Sequence, residues 1–214
     1  VAIGWQAMMG ASGKADRNVG IGTSTLLDIS TGESNVGVGY QAGQNISTGD
    51  YNIAIGNNAL ASLATYGNNV AIGHNAGHET TTADNVWIGY QTGYHSESSG
   101  SVAVGKQSGY YPHGNLNTFV GFKAGMGNSS VTTANANVGV GANALTAISS
   151  AEQSVAIGYD AGKAITTANK TVAIGYQAGE SITTGGDNVL IGHQAGKNTT
   201  GQYNVMIGKG AGSA

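Results

Sequence analysis

Val172-Ala173-Ile174-Gly175 is a short apolar tripeptide closed by glycine, and the chain writes it thirteen times. The closing glycines are Gly4, Gly22, Gly39, Gly56, Gly73, Gly89, Gly105, Gly121, Gly141, Gly158, Gly175, Gly192 and Gly208. They fall 16 to 20 residues apart, most often 17. A period of this length marks a solenoid, in which each repeat buries its apolar face only by stacking on its neighbours. The sequence therefore predicts an all-β chain, a parallel β-roll or β-solenoid of about thirteen turns covering 1–214 as one repeat array. At about 4.8 Å per turn the array would extend roughly 60 Å.

Taking the closing glycine as position zero, each offset has its own character. Minus three is Val in eleven turns, with Ile53 and Thr118 as exceptions, and minus one is Ile or Val in all thirteen. β-branched residues two apart share a strand face, so these two columns are expected to form the core. Minus two holds six Ala, three Gly, Trp87, Phe119, Leu190 and Met206, with no polar residue. A half-exposed strand alternates apolar with polar, whereas this one is apolar on both faces. Its second face needs a cover, and the reading is self-association, with the Ala and Gly columns meeting at a shared axis.

Asn precedes the strand in nine of twelve turns, from Asn18 to Asn204, and Ser101, Ser154 and Thr171 replace it elsewhere. Such side chains suit a corner and bond along a stack. After the strand, Ala-Gly recurs at plus three and plus four, as in Ala42-Gly43 and Ala178-Gly179, with Met8, Leu26, Leu60 and Leu145 in place of the glycine. The rest of each turn is rich in Thr, Ser, Asn and Gly and reads as outer loop. The longest turn carries its extra residues between Met126 and Ala136.

Composition excludes several classes. Glycine supplies 37 of 214 residues without a Gly-X-Y rule, so collagen is excluded. Eight Lys and Arg, scattered from Lys14 to Lys209, make no stripe for nucleic acid. There is no cysteine, hence no disulfide framework, and no apolar run long enough for membrane insertion. The chain opens at Val1 and closes at Ala214, both next to a motif, and reads as a piece of a longer fibrous chain.

Ser154-Val155-Ala156-Ile157-Gly158 is similar to the head repeat of trimeric autotransporter adhesins (YadA-like heads). Asn188-Val189-Leu190-Ile191-Gly192-His193-Gln194-Ala195-Gly196, followed by a Thr-Thr-Gly loop, resembles repeats of phage tail fibres. The resemblance covers the whole chain. It implies a left-handed roll assembled as a homotrimer, located on a virion or on a bacterial cell surface. Its function would be that of a structural rod that spaces or presents a host-attachment surface. The alternative is an adhesin head that binds matrix or cell-surface ligands. An ice-binding solenoid is a minor third reading, since Thr occupies no single offset in every turn.

No catalytic constellation is legible, so the chain is read as a non-enzyme without cofactor or metal. Gly37-Val38-Gly39-Tyr40-Gln41-Ala42-Gly43 misses the dinucleotide fingerprint by one residue, and Gly13-Lys14 runs into Ala15 rather than a phosphate loop. His74 and His78 lie four apart across an Ala-Gly turn. The candidate binding residues are aromatic. Tyr40, Tyr90, Phe122, Tyr159, Tyr176 and His193 share position plus one, as do Trp5 and His74, and Tyr110 and Tyr111 lie in loops with Tyr94 and His113. These rings either cover the roll between subunits or form an exposed strip for a host glycan or protein receptor.

Overall fold

The structure is a computed structural model and describes residues 1–11, 15–111, 114–128 and 133–212. Gly13-Lys14, Pro112, His113 and part of the long-turn insertion lie outside the described residues. Two compact units divide the chain, Val1–Gly100 and Ser101–Ala214. The first holds β1 (Ala2–Ile3), β2 (Val19–Ile21), β3 (Val36–Val38), β4 (Ile53–Ile55), β5 (Val70–Ile72) and β6 (Val86–Ile88). The second holds β7 (Val102–Val104), β8 (Thr118–Val120), β9 (Val138–Val140), β10 (Val155–Ile157), β11 (Val172–Ile174), β12 (Val189–Ile191) and β13 (Val205–Ile207). No helix among the described residues is long and apolar enough to cross a membrane.

Within each unit consecutive strands pair in parallel, with like offsets side by side. Ala156 pairs with Ala173 and Ala173 with Leu190 in the second unit, as Ala54 pairs with Ala71 in the first. The parallel β-solenoid is therefore as the period predicts, with one strand per turn. Glycine at position zero makes the stacking possible. It adopts φ between 124° and 138°, and a Cβ on Gly175 would lie 2.3 Å from the Gly192 carbonyl oxygen.

The polarity of the strand is the reverse of the expected one. Minus two points inward: Ala54, Ala71, Trp87, Ala156, Ala173 and Leu190 are fully buried. The Val and Ile columns point outward, half-buried or exposed, with Ile21, Ile55, Ile88 and Ile157 each 36–39% exposed. They are not the core of this chain, and the Ala and Gly column does not lie between chains. A turn this short encloses a thin interior, and four inward positions fill it. These are minus two, the residues at plus three and plus four, and a column at plus seven. That last column includes Ile29, Ile46, Leu63, Ile148, Ile165 and Ile182, all 0–3% exposed.

Large and small residues alternate across this interior. Leu26, Leu60 and Leu145 at plus four occur where minus two is Gly20, Ala54 or Gly139. Where minus two is large, plus four is glycine. A Cβ on Gly93 would lie 2.2 Å from Trp87, and one on Gly125 would lie 2.3 Å from Phe119. The three leucines hold φ of 46–53°, a left-handed conformation that costs a side-chain-bearing residue of order 1 kcal/mol. Burial of the leucine offsets that cost.

The corner asparagines form the buried ladder that their spacing suggests. Asn52 donates from its backbone N–H and from Nδ2 to Asn35 Oδ1, at 2.9 and 3.0 Å. Asn69 bonds Asn52 Oδ1 in the same way at 3.1 and 3.2 Å. Each amide also closes its own loop, as Asn35 Nδ2 does on the Gly49 carbonyl at 2.8 Å. In the second unit Ser154 and Thr171 continue the series: Ser154 N–H donates to Asn137 Oδ1 at 2.9 Å, and Thr171 N–H to Ser154 Oγ at 3.2 Å.

The size complementarity gives a direct test. Phe119→Ala should cost about 3–5 kcal/mol through the cavity it leaves. Gly125→Leu alone should destabilise by a clash with the Phe119 ring, and the double variant should recover much of both losses. A thermal double-mutant cycle measures this coupling; strictly additive losses would mean that the two positions do not share one space.

Candidate functional site

The plus-one side chains leave the roll immediately after the glycine bend, beside the outward aliphatic face. Backbone bonds keep them in line: Gln177 N–H donates to the Tyr159 carbonyl at 2.8 Å and Gln194 N–H to the Tyr176 carbonyl at 2.7 Å. Tyr159 and Tyr176 consequently stack with centroids 5.5 Å apart and planes 11° apart. Tyr176 and His193 stack at 5.0 Å and 15°. In the first unit His74 and Tyr90 stack at 5.5 Å and 23°. Adjacent turns set this distance, because parallel strands lie about 4.8 Å apart.

The candidate rings do not form one uniform strip. Tyr40 stands between Thr23 and Asn57 in its column, and Phe122 between Lys106 and Ala142. Lys123 Nζ lies 5.4 Å from the Phe122 centroid. Tyr110 and Tyr111 belong to other columns, plus five and plus six, and meet edge to face at 4.6 Å. Tyr40, Tyr90, Phe122, Tyr159 and Tyr176 are 44–49% exposed. A ring stacked on both faces, such as Tyr176, offers solvent its edge and its hydroxyl, not its face.

The plus-five and plus-six columns carry the groups that reading by plus one alone overlooks. His78 stacks on Tyr94 at 4.9 Å with planes 5° apart, and Tyr94 meets His95 edge to face at 4.5 Å. The His95 ring pairs with the Glu79 carboxylate. His78 Nδ1 is buried with no hydrogen-bond partner, and burial lowers the His78 pKa below its ordinary value, against the opposing charge of Glu79. His74 and His78 sit in different columns, and no three His, Cys, Asp or Glu side chains gather as a metal site among the described residues.

At the same two offsets of its own turns, the second unit has an open groove of about 630 Å³. Lys163, Glu180 and Lys197 border it, with Ala164 and Ser181 among its small lining residues. Each charge has a neighbour of opposite sign. Lys163 lies 3.4 Å from the Asp160 carboxylate, Lys197 lies 3.4 Å from Glu180, and Lys197 Nζ donates to Gln177 Oε1 at 2.8 Å. The groove thus alternates charge along the stack, with two ammonium groups to one carboxylate. Comparison of every offset across the turns would have exposed these columns in the sequence.

Comparisons of the chain with protein-family models, with curated proteins and with solved structures find no match.

His78 gives a pH prediction. The folded chain binds the His78 proton less tightly than the unfolded chain does, so the contribution of this residue to stability is full above the unfolded value of 6.5 and is lost as pH falls below it. Glu79, His95 and His74 also face it electrostatically. Thermal melts between about pH 7 and about pH 5 should show a shallower loss of stability in His78→Gln than in the parent. Parallel curves would remove His78 from the acid sensitivity.

Proposed function

We propose that this chain is a segment of a homotrimeric fibre, a structural rod outside the cell that spaces or presents a host-attachment surface. The observation that carries the reading is the outward aliphatic face. In turn after turn a Val or Ile at minus three and another at minus one leave the roll half-buried or exposed. Apolar surface repeated over so many turns marks an interaction face. A second copy is its natural cover, because an identical repeat presents the same apolar rows at the same spacing. Three copies and a left-handed coil follow the resemblance of the Ser-Val-Ala-Ile-Gly and Asn-Val-Leu-Ile-Gly repeats to phage tail fibres and adhesin heads. A virion tail fibre or a bacterial cell surface is the corresponding location. The half-exposed rings at plus one favour the second reading, an adhesin head whose own surface contacts a host glycan or receptor.

Light scattering on the purified chain tests the assembly. Three times 21.3 kDa supports the trimer, and a clean monomer overturns it. Variants separate the two faces. Ile157→Asp combined with Ile174→Asp should dissociate the assembly and leave the β signal in circular dichroism. Ala173→Asp places a charge inside the roll and should unfold the neighbouring turns. Equal damage from both would contradict an outward interface.

A further inference from the structure

We propose that the interruption of the aromatic column at Ala142 is a binding subsite for one hexopyranose ring of a glycan. The proposal deepens the attachment reading and rests on it. In the second unit the plus-one column runs Lys106, Phe122, Ala142, Tyr159, Tyr176, His193 and Lys209. Its register passes through the alanine unbroken. Asn143 N–H donates to the Phe122 carbonyl at 2.9 Å, and Asp160 N–H to the Ala142 carbonyl at 3.0 Å. Phe122 and Tyr159 are thus two turns apart in one line, with a single methyl group between them.

Two turns set the width. Adjacent rings in this column stand 5.0–5.5 Å apart, so rings two turns apart are separated by about 10 Å, twice the strand spacing. Such an interval takes one six-membered ring, as Tyr176 shows by filling the equal space between Tyr159 and His193. A pyranose chair has a comparable outline, and the axial C–H groups on its faces suit the electron-rich faces of aromatic rings on either side. Tyr159 has one face stacked on Tyr176, which leaves its other face toward Ala142. The rings farther along, Tyr176 and His193, have no such opening between them.

The surroundings favour a hydroxylated guest over a cation. The Lys123 ammonium near the Phe122 ring already supplies positive charge, which repels a quaternary ammonium, and it has no ion-pair partner among the described residues. It is a donor for ring hydroxyls. Asn143, next to Ala142 in the chain, is oriented by its Nδ2 bond to Asp160 Oδ1 at 2.9 Å. In the first unit the corresponding gap between Tyr40 and His74 is occupied by the larger, polar Asn57.

Saturation-transfer NMR on the full chain tests the subsite, with the methyl glycosides of glucose, galactose, mannose and N-acetylglucosamine as probes. Transfer to ring protons of at least one glycoside is expected. It should fall about tenfold or more in Ala142→Tyr, where the new ring closes the stack, and in Tyr159→Ser, an exposed substitution that keeps the fold. Absence of transfer to all four glycosides overturns the proposal, as does transfer that survives either variant in folded form. Light scattering on the same samples keeps the two ideas apart. A trimer that binds no glycoside sinks the subsite alone, and a monomer that binds one sinks the fibre reading alone.

Discussion

The close approach of backbone to backbone at position zero governs the rest of the structure. Each closing glycine from Gly4 to Gly192 whose surroundings are described has its Cα so near the next turn that an added Cβ would fall 2.3–2.7 Å from a carbonyl oxygen. Its φ lies in a range that L-residues rarely adopt. Two turns can meet at this distance only if the first of them has glycine there. Once they meet, the strands before the bend and the side chains after it are brought into line at one spacing. The asparagine ladder and the stacked rings follow from that alignment, one on each side of the same bend.

The alignment also limits what the interior holds. Each column places like residues about one strand spacing apart, so the thickness of the roll must be shared among minus two, plus four and plus seven. That is why Trp87 and Phe119 are accompanied by Gly93 and Gly125, and Leu145 by Gly139. The space is too narrow for two β-branched ladders, and the strand turns them outward. A hydrophobic residue is not placed inside because it is the most apolar of its neighbours; volume decides. Ala at minus two lies inside while its larger neighbour Ile at minus one lies outside, and where minus two is large, as at Trp87, plus four is glycine.

The period, the strand positions, the glycine bend and the asparagine ladder were all legible in the sequence, because each is a single residue type at a single offset. The direction of the strand was not legible from Val-Ala-Ile alone. A tripeptide that is apolar throughout has no polar residue to mark its outside, and the usual preference for larger side chains in the core points the wrong way. The deciding signals were present elsewhere, in the Ile column at plus seven and in the exclusion of Leu60 and Leu145 from turns with a large residue at minus two. At the candidate site the plus-one rings were legible as a column, but their grouping was not. Tyr159, Tyr176 and His193 form one stack and Tyr40 stands outside it, because stacking depends on the residue in the next turn rather than on the offset itself.

A repeat this regular has a chemical consequence for recognition. Stacking at 5.0–5.5 Å brings the faces of neighbouring rings together, so the more complete the aromatic column, the less aromatic face it offers to another molecule. Unbroken stretches serve cohesion, and distinct chemistry is confined to departures from the repeat. Ala142 opens a ring-wide gap, Glu79 and His95 introduce a carboxylate–imidazole contact, and Lys163, Glu180 and Lys197 alternate charge along a groove. Each departure is a change of side chain on a backbone that the glycines hold constant. The fold therefore tolerates it without loss of register, and a uniform scaffold acquires local specificity one side chain at a time.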